Sequence, residues 1–336
     1  MTVVVEKPVG EDFTSLADPY RRELLAHCYR MLGSVHDAED LVQETYLRAW
    51  RAYDRFEGRS SLRTWLYRIA TTACLTALEG RGRRPMPTGL GGPSEPDGAL
   101  VERAEVPWLE PVPDALVGAD DADPAAVVTS RESIKLAFIA ALQHLPPRQR
   151  AVLILRDVLR FRAAEVAETL DLSTAAVNSL LQRARTQLSQ VAPDADGAPS
   201  TPALTAEQHD QLDRYVAAFE TYDIKALVDL FTAEAVWEMP PFLTWFHGAE
   251  NIARGIADKC PASGPGDQLM VPAAANGQPA YGLYMRGSDG VHRAFHVQVL
   301  TFEGLRLRHV GAFFDTRLFP LFGLPMVYSG PAKPTR

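Results

Sequence analysis

Arginine and aromatic side chains lie close together in one short stretch of this sequence, FEGRSSLRTWLYRIA at residues 56–70. Arginine binds phosphate oxygens and an aromatic ring can stack on an unpaired base, so Arg63, Trp65 and Arg68 suggest binding of single-stranded nucleic acid. Trp65 taken alone would more often be a core residue. The stretch therefore favours a nucleic-acid function without establishing it.

A second stretch, ETLDLSTAAVNSLLQRARTQL at residues 168–188, has the pattern of a helix, a tight turn and a second helix. Asp171 tolerates the turn conformation, and Ser173 can cap the second helix. At 100° per residue, one face of that helix is apolar and must pack on the core; it comprises Val177, Leu181, Ala184 and Leu188. The opposite face can reach base edges and phosphates; it presents Ala175, Asn178, Ser179, Gln182, Arg183 and Thr186. A plain helical hairpin is the alternative.

The C-terminal part contains a few side chains that could move protons, namely His247, His296, His309, Glu238 and Asp315. Each is more often a structural group than a catalytic one. Neither a metal-ligand spacing nor a nucleophile–base motif stands out, so we predict no catalytic residue, no metal and no cofactor.

The charge is unevenly divided along the chain, whose formal net charge is −8. Residues 20–84 and 134–191 are each net +4, whereas residues 85–133 are net −8 and residues 192–336 are net −5. Two basic blocks that contact nucleic acid would explain this division, and a uniformly acidic enzyme would not.

The composition is that of an ordinary globular protein, with 46% hydrophobic and 23% charged residues in 336. Three widely spaced cysteines indicate a reducing cytoplasm, not a disulfide framework or a zinc site. The N-terminal segment does not resemble a secretion signal. Because no run of about 18 apolar residues occurs, we expect no membrane span.

The first basic block predicts three helices. Two of them fill residues 20–53 on either side of Gly33, with Leu47 and Trp50 in the apolar repeat of the second; Asp37, Asp40 and Glu44 share its polar face. A solvated surface is the plain interpretation of those acids. The third helix follows a cap at Ser60 or Ser61, and its predicted buried stripe is Leu62, Leu66, Ile69, Ala73 and Ala77.

These two basic blocks resemble regions 2 and 4 of extracytoplasmic-function (ECF) sigma factors, the promoter-specificity subunits of bacterial RNA polymerase. DAEDLVQETYLRAWRAYDRFEGRSSLRTWLYRIA is similar to region 2, and residues 142–188 are similar to region 4. The resemblance implies docking on the polymerase clamp helices and flap, and recognition of the minus-10 and minus-35 promoter elements.

The resemblance also implies a role for particular residues. The surface that docks on the polymerase corresponds to Asp37, Asp40, Gln43 and Glu44. The loop and helix that capture and melt the minus-10 element correspond to Phe56, Arg59, Arg63, Trp65, Arg68, Thr71 and Thr72. The minus-35 reading face corresponds to Ala175, Asn178, Ser179, Gln182 and Arg183.

The recognition helix departs from many relatives, which carry Lys or Arg where this chain has Asn178 and Leu180. Fewer cations predict weak, strongly salt-dependent binding to DNA alone. An acidic protein can then read DNA because the polymerase holds its two basic blocks in place. Family members also often carry Asn and Asp near Thr72 and Thr76, so base preference at the minus-10 element is open.

Residues 204–325 predict helices followed by a curved antiparallel sheet and resemble a SnoaL-like, nuclear-transport-factor-2-like domain. Together with WLEPVPD at residues 108–114, the arrangement resembles the sigma factors that carry such a domain at the C-terminus. The fold implies a conical pocket for a small molecule, and its predicted lining is Trp237, Met239, Trp245, Phe246, Tyr284, Phe295, His296 and Phe313.

The predicted organisation is a multi-domain chain of two all-α sigma domains and a C-terminal α+β cone. A tail (1–19) precedes region 2 (20–84); an acidic, mostly extended or disordered linker (85–133) leads to region 4 (134–191). A short linker (192–203) precedes the SnoaL-like domain (204–325), and a tail (326–336) ends the chain. The predicted function is promoter-directed initiation regulated in cis by the C-terminal domain. The alternative is an isomerase- or cyclase-like enzyme tethered to DNA-binding domains.

Overall fold

The computed structural model describes residues 13–117, 132–191 and 204–329. The chain forms two units, one made of Met1–Arg84 with Leu116–Ser200 and the other of Pro85–Ala115 with Thr201–Arg336. The described part of the first unit is helical, and the second unit combines helices with a seven-stranded sheet. The predicted fold class, two helical domains and a C-terminal α+β domain, is confirmed. None of the described helices is both long enough and apolar enough to span a bilayer.

Four helices form the first part of the helical unit: α1 (Phe13–Ala17), α2 (Arg21–Leu32), α3 (Val35–Ala52) and α4 (Leu62–Leu78). Gly33 ends α2 with a φ of 69°, a conformation that glycine adopts without steric cost. The Ser34 and Ser61 hydroxyls cap α3 and α4 by accepting hydrogen bonds from the amides of Asp37 and Thr64, each at 3.1 Å.

The buried face of α4 differs from the predicted stripe. Leu62, Ile69 and Ala77 are only half-buried, whereas Tyr67 and Thr71 lie in the core. Both polar side chains find partners there, since the Tyr67 hydroxyl donates to Glu23 at 3.2 Å and Thr71 Oγ1 bonds His27 Nε2 at 2.9 Å. A hydroxyl group that forms a hydrogen bond can be buried at little cost in free energy, so the buried face of α4 includes Tyr67 and Thr71.

The second part of the helical unit contains α5 (Leu136–Leu142), α6 (Pro147–Leu153), a π-helical turn (Ile154–Val158), α7 (Ala163–Leu170) and α8 (Thr174–Val191). Asp171 takes the left-handed conformation, with φ 53°, between α7 and α8. Ser173 Oγ caps α8 by accepting from the amide of Ala176 at 3.1 Å. The predicted buried face of α8 is confirmed; it comprises Val177, Leu181, Ala184 and Leu188.

A buried arginine joins the two parts of the helical unit. Arg150, only 3% exposed, donates to the carbonyl of Met31 at the end of α2 and to Gln143 Oε1 at 2.8 Å. Its second nitrogen donates to the carbonyls of Gln143 and Leu145 at 3.2 and 3.1 Å. Burial lowers the pKa of Arg150 to about 10, so the guanidinium still carries its charge at neutral pH.

The second unit folds as helices on a curved sheet. Its helices are α9 (Ala206–Glu220), α10 (Ile224–Leu230), α11 (Ala249–Lys259) and α12 (Leu318–Leu321). Its strands are β1 (Phe231–Glu238), β2 (Trp245–His247), β3 (Gln268–Ala275), β4 (Gln278–Arg286), β5 (His292–Glu303), β6 (Arg306–Phe313) and β7 (Val327–Tyr328). The order is β2-β1-β6-β5-β4-β3, with β7 paired to β5, and only β1 and β6 run parallel.

One full-length strand, β3, does not have the sequence of a typical strand. Its sequence QLMVPAAA contains a proline and three alanines, which are poor strand formers. The structure accommodates Pro272 because β3 lies at the edge of the sheet, where the missing N–H group breaks no ladder.

Residues 85–115, which we name the strap, differ from the predicted linker because they pack on the C-terminal domain. The backbone of Leu243 donates to Val101 at 2.7 Å, and that of Ser94 donates to Trp245 at 2.8 Å. Leu109 is fully buried. Proline, glycine and aspartate give the strap little intrinsic structure, but the domain supplies the partners that its backbone lacks. A helical turn, Asp114–Val117, begins at the end of the strap.

The turn between β3 and β4 holds the end of the strap. Asn276 is fully buried, and its backbone and side chain bond the carbonyl and the amide of Val112, each at 3.0 Å. Next to it, the amide of Gly277 donates to Asp114 Oδ1 at 2.7 Å. Asn276 also adopts a φ of 57°, which asparagine tolerates better than most residues.

We expect the substitution Asn276→Gly to loosen the strap while keeping the turn. Glycine accepts the positive φ, so the loss comes from the buried Val112 amide left without an acceptor, roughly 1–3 kcal/mol of unfolding free energy. Limited proteolysis followed by mass spectrometry should then show cleavage within residues 85–112. Asn251→Gly, at an exposed side chain that bonds His247, is the comparison, and equal resistance of the strap in both variants would contradict the assignment.

Candidate nucleic-acid interface

The loop before α4 and the first turn of α4 bring three aromatic rings together. The ring centroids of Phe56 and Trp65 are 4.8 Å apart, and the Tyr53 ring lies 6.3 Å from Phe56 and 6.5 Å from Trp65. Phe56 and Trp65 are half-buried. Trp65 therefore packs on its neighbours and is still partly exposed to solvent. Its position is intermediate between that of a core residue and that of a surface residue that stacks on a base.

The predicted arginines of this region have very different surroundings. The Arg59 side chain is 86% exposed and pairs with Glu57 at 3.1 Å. Arg63 is half-buried and forms an ion pair with Glu23 at 2.7 Å, with its guanidinium 4.9 Å from the Tyr67 ring centroid and 5.4 Å from that of Phe161. Burial opposes the charged form of Arg63, but the bonds from Glu23 raise its pKa. The Arg63 guanidinium is thus already bonded to a partner within the protein.

Farther along α4, one prediction is corrected. Thr71 is fully buried and bonded to His27, so its side chain does not reach the surface. Thr72 is exposed, with its hydroxyl bonded to the carbonyl of Arg68 at 2.9 Å. Arg68 is exposed and lies 3.4 Å from Glu168 of α7. The two helical parts of the unit therefore meet across the predicted minus-10 helix.

The polar face of α8 is open. The five residues predicted for the minus-35 element are all exposed: Ala175, Asn178, Ser179, Gln182 and Arg183. Neighbouring Arg185 instead binds Asp157 at 2.6 Å. The helix thus carries a wholly buried apolar face and a polar face that nothing in the described part of its unit covers.

The two ends of the acidic face of α3 differ in their partners. One end is bonded to residues that follow α4, and the other end is not. Asp37 binds Arg81 at 2.9 Å and Arg84 at 2.6 Å, both of which follow α4. Asp40 and Gln43 are exposed. Glu44 is bonded to Arg48 one turn later at 2.7 Å. Asp40, Gln43 and Glu44 can therefore contact a partner, whereas Asp37 first braces α3 against the end of α4.

Two apolar side chains on α3 contradict the sequence analysis. Leu47 and Trp50, expected in the core, are 49% and 62% exposed. They stand seven and ten residues after Asp40, which places them on the same face. We name Asp40, Gln43, Glu44, Leu47 and Trp50 the α3 face. The periodicity of α3 could have shown this, because Val42, Thr45 and Ala49 already fill its buried face.

The predicted pocket residues do not all meet. Trp237, Met239 and Phe246 belong to one buried apolar cluster between the helices and the sheet, and Phe295 packs against it. Tyr284 faces the other side of the sheet, where its ring lies 5.2 Å from that of Phe319.

Three further predicted pocket residues have other surroundings. Trp245 Nε1 donates to the strap carbonyl of Gly91 at 3.0 Å. Phe313 is buried outside the apolar cluster, and His296 is buried beside Gln298, 2.8 Å away. The apolar cluster is therefore a packed core at its centre, and the eight residues do not line one cavity.

The other C-terminal proton-carrying groups are paired. Glu238 is buried, accepts from the amide of Thr88 in the strap at 2.7 Å and bonds His309 at 2.7 Å. Burial opposes its charged form, but the His309 and Thr88 bonds outweigh burial and lower the pKa of Glu238. Elsewhere His247 binds Glu234 at 3.0 Å, and Asp315 binds Arg317 at 2.7 Å. We assign these groups to structure.

Comparison with known proteins supports the division of the helical unit into two parts. The family models for Sigma-70 region 2 and Sigma-70 region 4 match residues 16–84 and 135–188. The chain is 62% identical over 315 residues to ECF RNA polymerase sigma factor SigG of Mycobacterium tuberculosis, covering 94% of this chain and 84% of that relative. It is 31% identical over 283 residues to sigma factor SigJ of the same organism, covering 81% and 80%.

The fold agrees over nearly the whole length. The crystal structure of SigJ from Mycobacterium tuberculosis aligns with a TM-score of 0.58 and 24% identity, covering 93% of this chain and 99% of that one. That likeness includes the C-terminal α+β domain. With the extent and identity of the curated relatives, these matches show that the chain belongs to the ECF sigma factors of RNA polymerase.

Proposed function

We propose that this sigma factor divides promoter-directed initiation among three faces of its helical unit. The α3 face would bind core RNA polymerase at the clamp helices, and α4 with its preceding loop would open the minus-10 element. The polar face of α8 would read the minus-35 element, with region 4 also contacting the polymerase flap. The observation that carries the proposal is that two of these faces, on α3 and α8, are exposed while the opposite faces of the same helices are buried.

The α3 face suits a protein partner better than DNA. Its carboxylates would repel phosphates, and exposed Trp50 and Leu47 provide apolar area of the kind enriched at the centre of protein interfaces. A polymerase surface with basic side chains around an apolar patch would match it.

We expect reversal of Asp40 and Glu44 to Lys to weaken binding to core polymerase at least tenfold. The fold should change by less than about 0.5 kcal/mol, because both positions are on the surface. Pull-down with purified core enzyme measures the effect. The control is Glu57→Lys with Glu79→Lys, which makes the same charge change on exposed residues away from the α3 face. Equal recovery of both variants would show that the face is merely solvated.

The minus-10 function requires a rearrangement within the helical unit. Arg63 is held by Glu23 and lies over Phe161, and Arg68 lies beside Glu168. DNA phosphates would compete for both guanidinium groups, so the two helical parts must separate for α4 to be fully used. Both ion pairs are partly exposed, so they contribute little to the free energy of the closed arrangement.

We expect Trp65→Ala to abolish promoter melting while leaving assembly with polymerase intact. The ring is half-open, and stacking on an unpaired base is worth roughly 1–3 kcal/mol. Permanganate footprinting of unpaired thymines reads the open bubble, and Trp65→Phe, which retains an aromatic face, should restore part of it. An undiminished bubble in Trp65→Ala, or loss of helicity by circular dichroism, would place Trp65 in the core instead.

The C-terminal domain would control the factor in cis, through the strap and in response to a small-molecule ligand. The strap leads from region 2 towards region 4, yet its backbone is bonded to the C-terminal domain at Val101, Val112 and other positions. A signal that changes the strap would therefore act on the connection between the two promoter-reading parts. A ligand can bias this equilibrium only by its difference in affinity for the two states.

We expect release of the strap to change transcription from a cognate promoter. Run-off assays with core polymerase should compare the full chain, a chain lacking residues 204–336, and Asn276→Gly, which weakens the strap but keeps the domain. A common change in both altered proteins supports control through the strap. Identical output from all three across salt concentrations would make the domain a passenger.

The competing function, an isomerase- or cyclase-like reaction, has less support. Burial lowers the pKa of His296 to about 3, so at neutral pH this imidazole is uncharged and only weakly basic, which makes it poorly suited to general acid–base catalysis. Glu238 is bonded to Thr88 of the strap and to His309, so both groups already have structural partners. Because the proposed partner is RNA polymerase, the place of action would be the cytoplasm.

A further inference from the structure

A bulge in β5 disturbs the sheet next to a buried histidine. Leu283 of β4 pairs with His296, while the next residue, Tyr284, pairs with Ala294, so Phe295 is the additional residue on β5. A bulge redirects side chains and is often found beside functional sites. Here it turns Phe295 towards the apolar cluster and places its ring 5.0 Å from the His296 ring.

Half-buried aromatic rings surround this position. Phe314 lies 4.6 Å from His296 and 5.2 Å from Phe295, and Phe242 lies 5.4 Å from Phe314. The Phe242 and Phe295 rings stand nearly perpendicular to Phe314, at 85° and 82°. Unlike the buried centre of the apolar cluster, these three phenylalanines are only half-buried. They form an apolar rim beside the histidine.

Below the rim, a chain of hydrogen bonds fixes the proton on His296. The Tyr215 hydroxyl donates to Gln298 Oε1 at 2.8 Å, so the Gln298 amide nitrogen faces His296 and donates to Nε2 at 2.8 Å. Nε2 is then an acceptor, and the ring proton resides on Nδ1. The reverse arrangement would leave the buried Tyr215 proton without an acceptor.

The Nδ1 atom of His296 is buried and lacks a hydrogen-bond partner within the described residues. A buried N–H group without an acceptor is unfavourable and calls for one. The three-residue chain behind it would hold this donor at a fixed position, as in a built binding site.

The chemistry of the site restricts its ligand. Burial lowers the pKa of His296 to about 3, so the ring is neutral at physiological pH and offers a hydrogen bond without a positive charge. A carboxylate or phosphate would lose its hydration without gaining an ion pair here. A neutral oxygen on an apolar body would satisfy both the donor and the rim.

We propose that His296 is the hydrogen-bond donor of a ligand site in the C-terminal domain for a small, neutral carbonyl compound with an aromatic or alicyclic body. Phe242, Phe295 and Phe314 contact that body, and Tyr215 and Gln298 are positioning residues that hold the His296 tautomer. The inference rests on the proposed small-molecule control of the factor and gives that molecule a chemical class.

Acetophenone and ethylbenzene test the donor directly, because they match in ring and size and differ in the carbonyl oxygen. The full chain is labelled with ¹⁵N-histidine, and long-range ¹H–¹⁵N spectra report the tautomer and shift of each imidazole. Acetophenone should shift the His296 Nδ1 signal and bind about tenfold more tightly than ethylbenzene, the effect of one net hydrogen bond. Equal binding of the two probes, or an unmoved Nδ1 signal, overturns the proposal.

Two variants separate positioning from packing. Tyr215→Phe keeps the ring but removes the proton that orients Gln298, so the His296 tautomers should mix and the preference for acetophenone should fall below about threefold. His209→Phe, at an exposed histidine on α9, should retain the tenfold preference. A single, unchanged tautomer in Tyr215→Phe would contradict the relay even if His296→Phe fails to fold.

Run-off transcription with and without acetophenone is measured separately on the same proteins. Binding through His296 without any change in transcription would support the site and refute ligand control. A C-terminal deletion that alters transcription, in a protein whose His296 ignores both probes, would support control through the strap and refute the site.

Discussion

A charge buried inside the helical unit has to be compensated there, and Arg150 shows how. Its guanidinium reaches carbonyl groups at the end of α2 and in the turn between α5 and α6, so the parts matched by region 2 and region 4 share one buried cation. Arg30 makes a similar buried connection to Ser133 at 2.9 Å. Breaking a hydrogen bond to such a buried charge costs about 1.5–3 kcal/mol, because the charge loses a partner that water does not replace. The closed arrangement of α4 against α7 depends on these hydrogen bonds more than on the partly exposed ion pairs above them.

Backbone polar groups also need partners when they are buried. This explains why the strap, which has little intrinsic structure, is ordered in the second unit. The strap brings backbone amides and carbonyls that need partners, and Glu238, Thr244, Asn276 and the backbone of residues 241–245 provide them. Some of its apolar residues, among them Leu109 and Val112, are buried as well, whereas Leu90, Leu100 and Val101 are exposed. The strap and the C-terminal domain thus form one folded body, and composition alone describes only the strap's behaviour in isolation.

The sequence predicted most of what local physics determines. A cap at Ser60 or Ser61, the turn at Asp171 and the buried face of α8 follow from side-chain type and spacing, and the structure has the cap at Ser61 and the other two features as expected. The failures have a common origin in tertiary partners. Thr71 is buried because His27 bonds its hydroxyl there. The strap is ordered by residues more than a hundred positions away, and the Nδ1 atom of His296 becomes conspicuous only once every neighbour is known.

One hydrogen bond within the strap has a consequence for the length of the connection between regions 2 and 4. Residues 85–133 could span about 160 Å if fully extended, at about 3.3 Å per residue. The amide of Leu109 lies 3.1 Å from the carbonyl of Pro85, however, so the strap closes into a loop on the domain surface. The contour left to connect the two regions is then that of residues 110–133, about 80 Å. Promoter elements about 25 base pairs apart are separated by about 85 Å at 3.4 Å per step. A docked strap therefore leaves a tether slightly shorter than this separation, and an undocked strap nearly doubles the length of the tether.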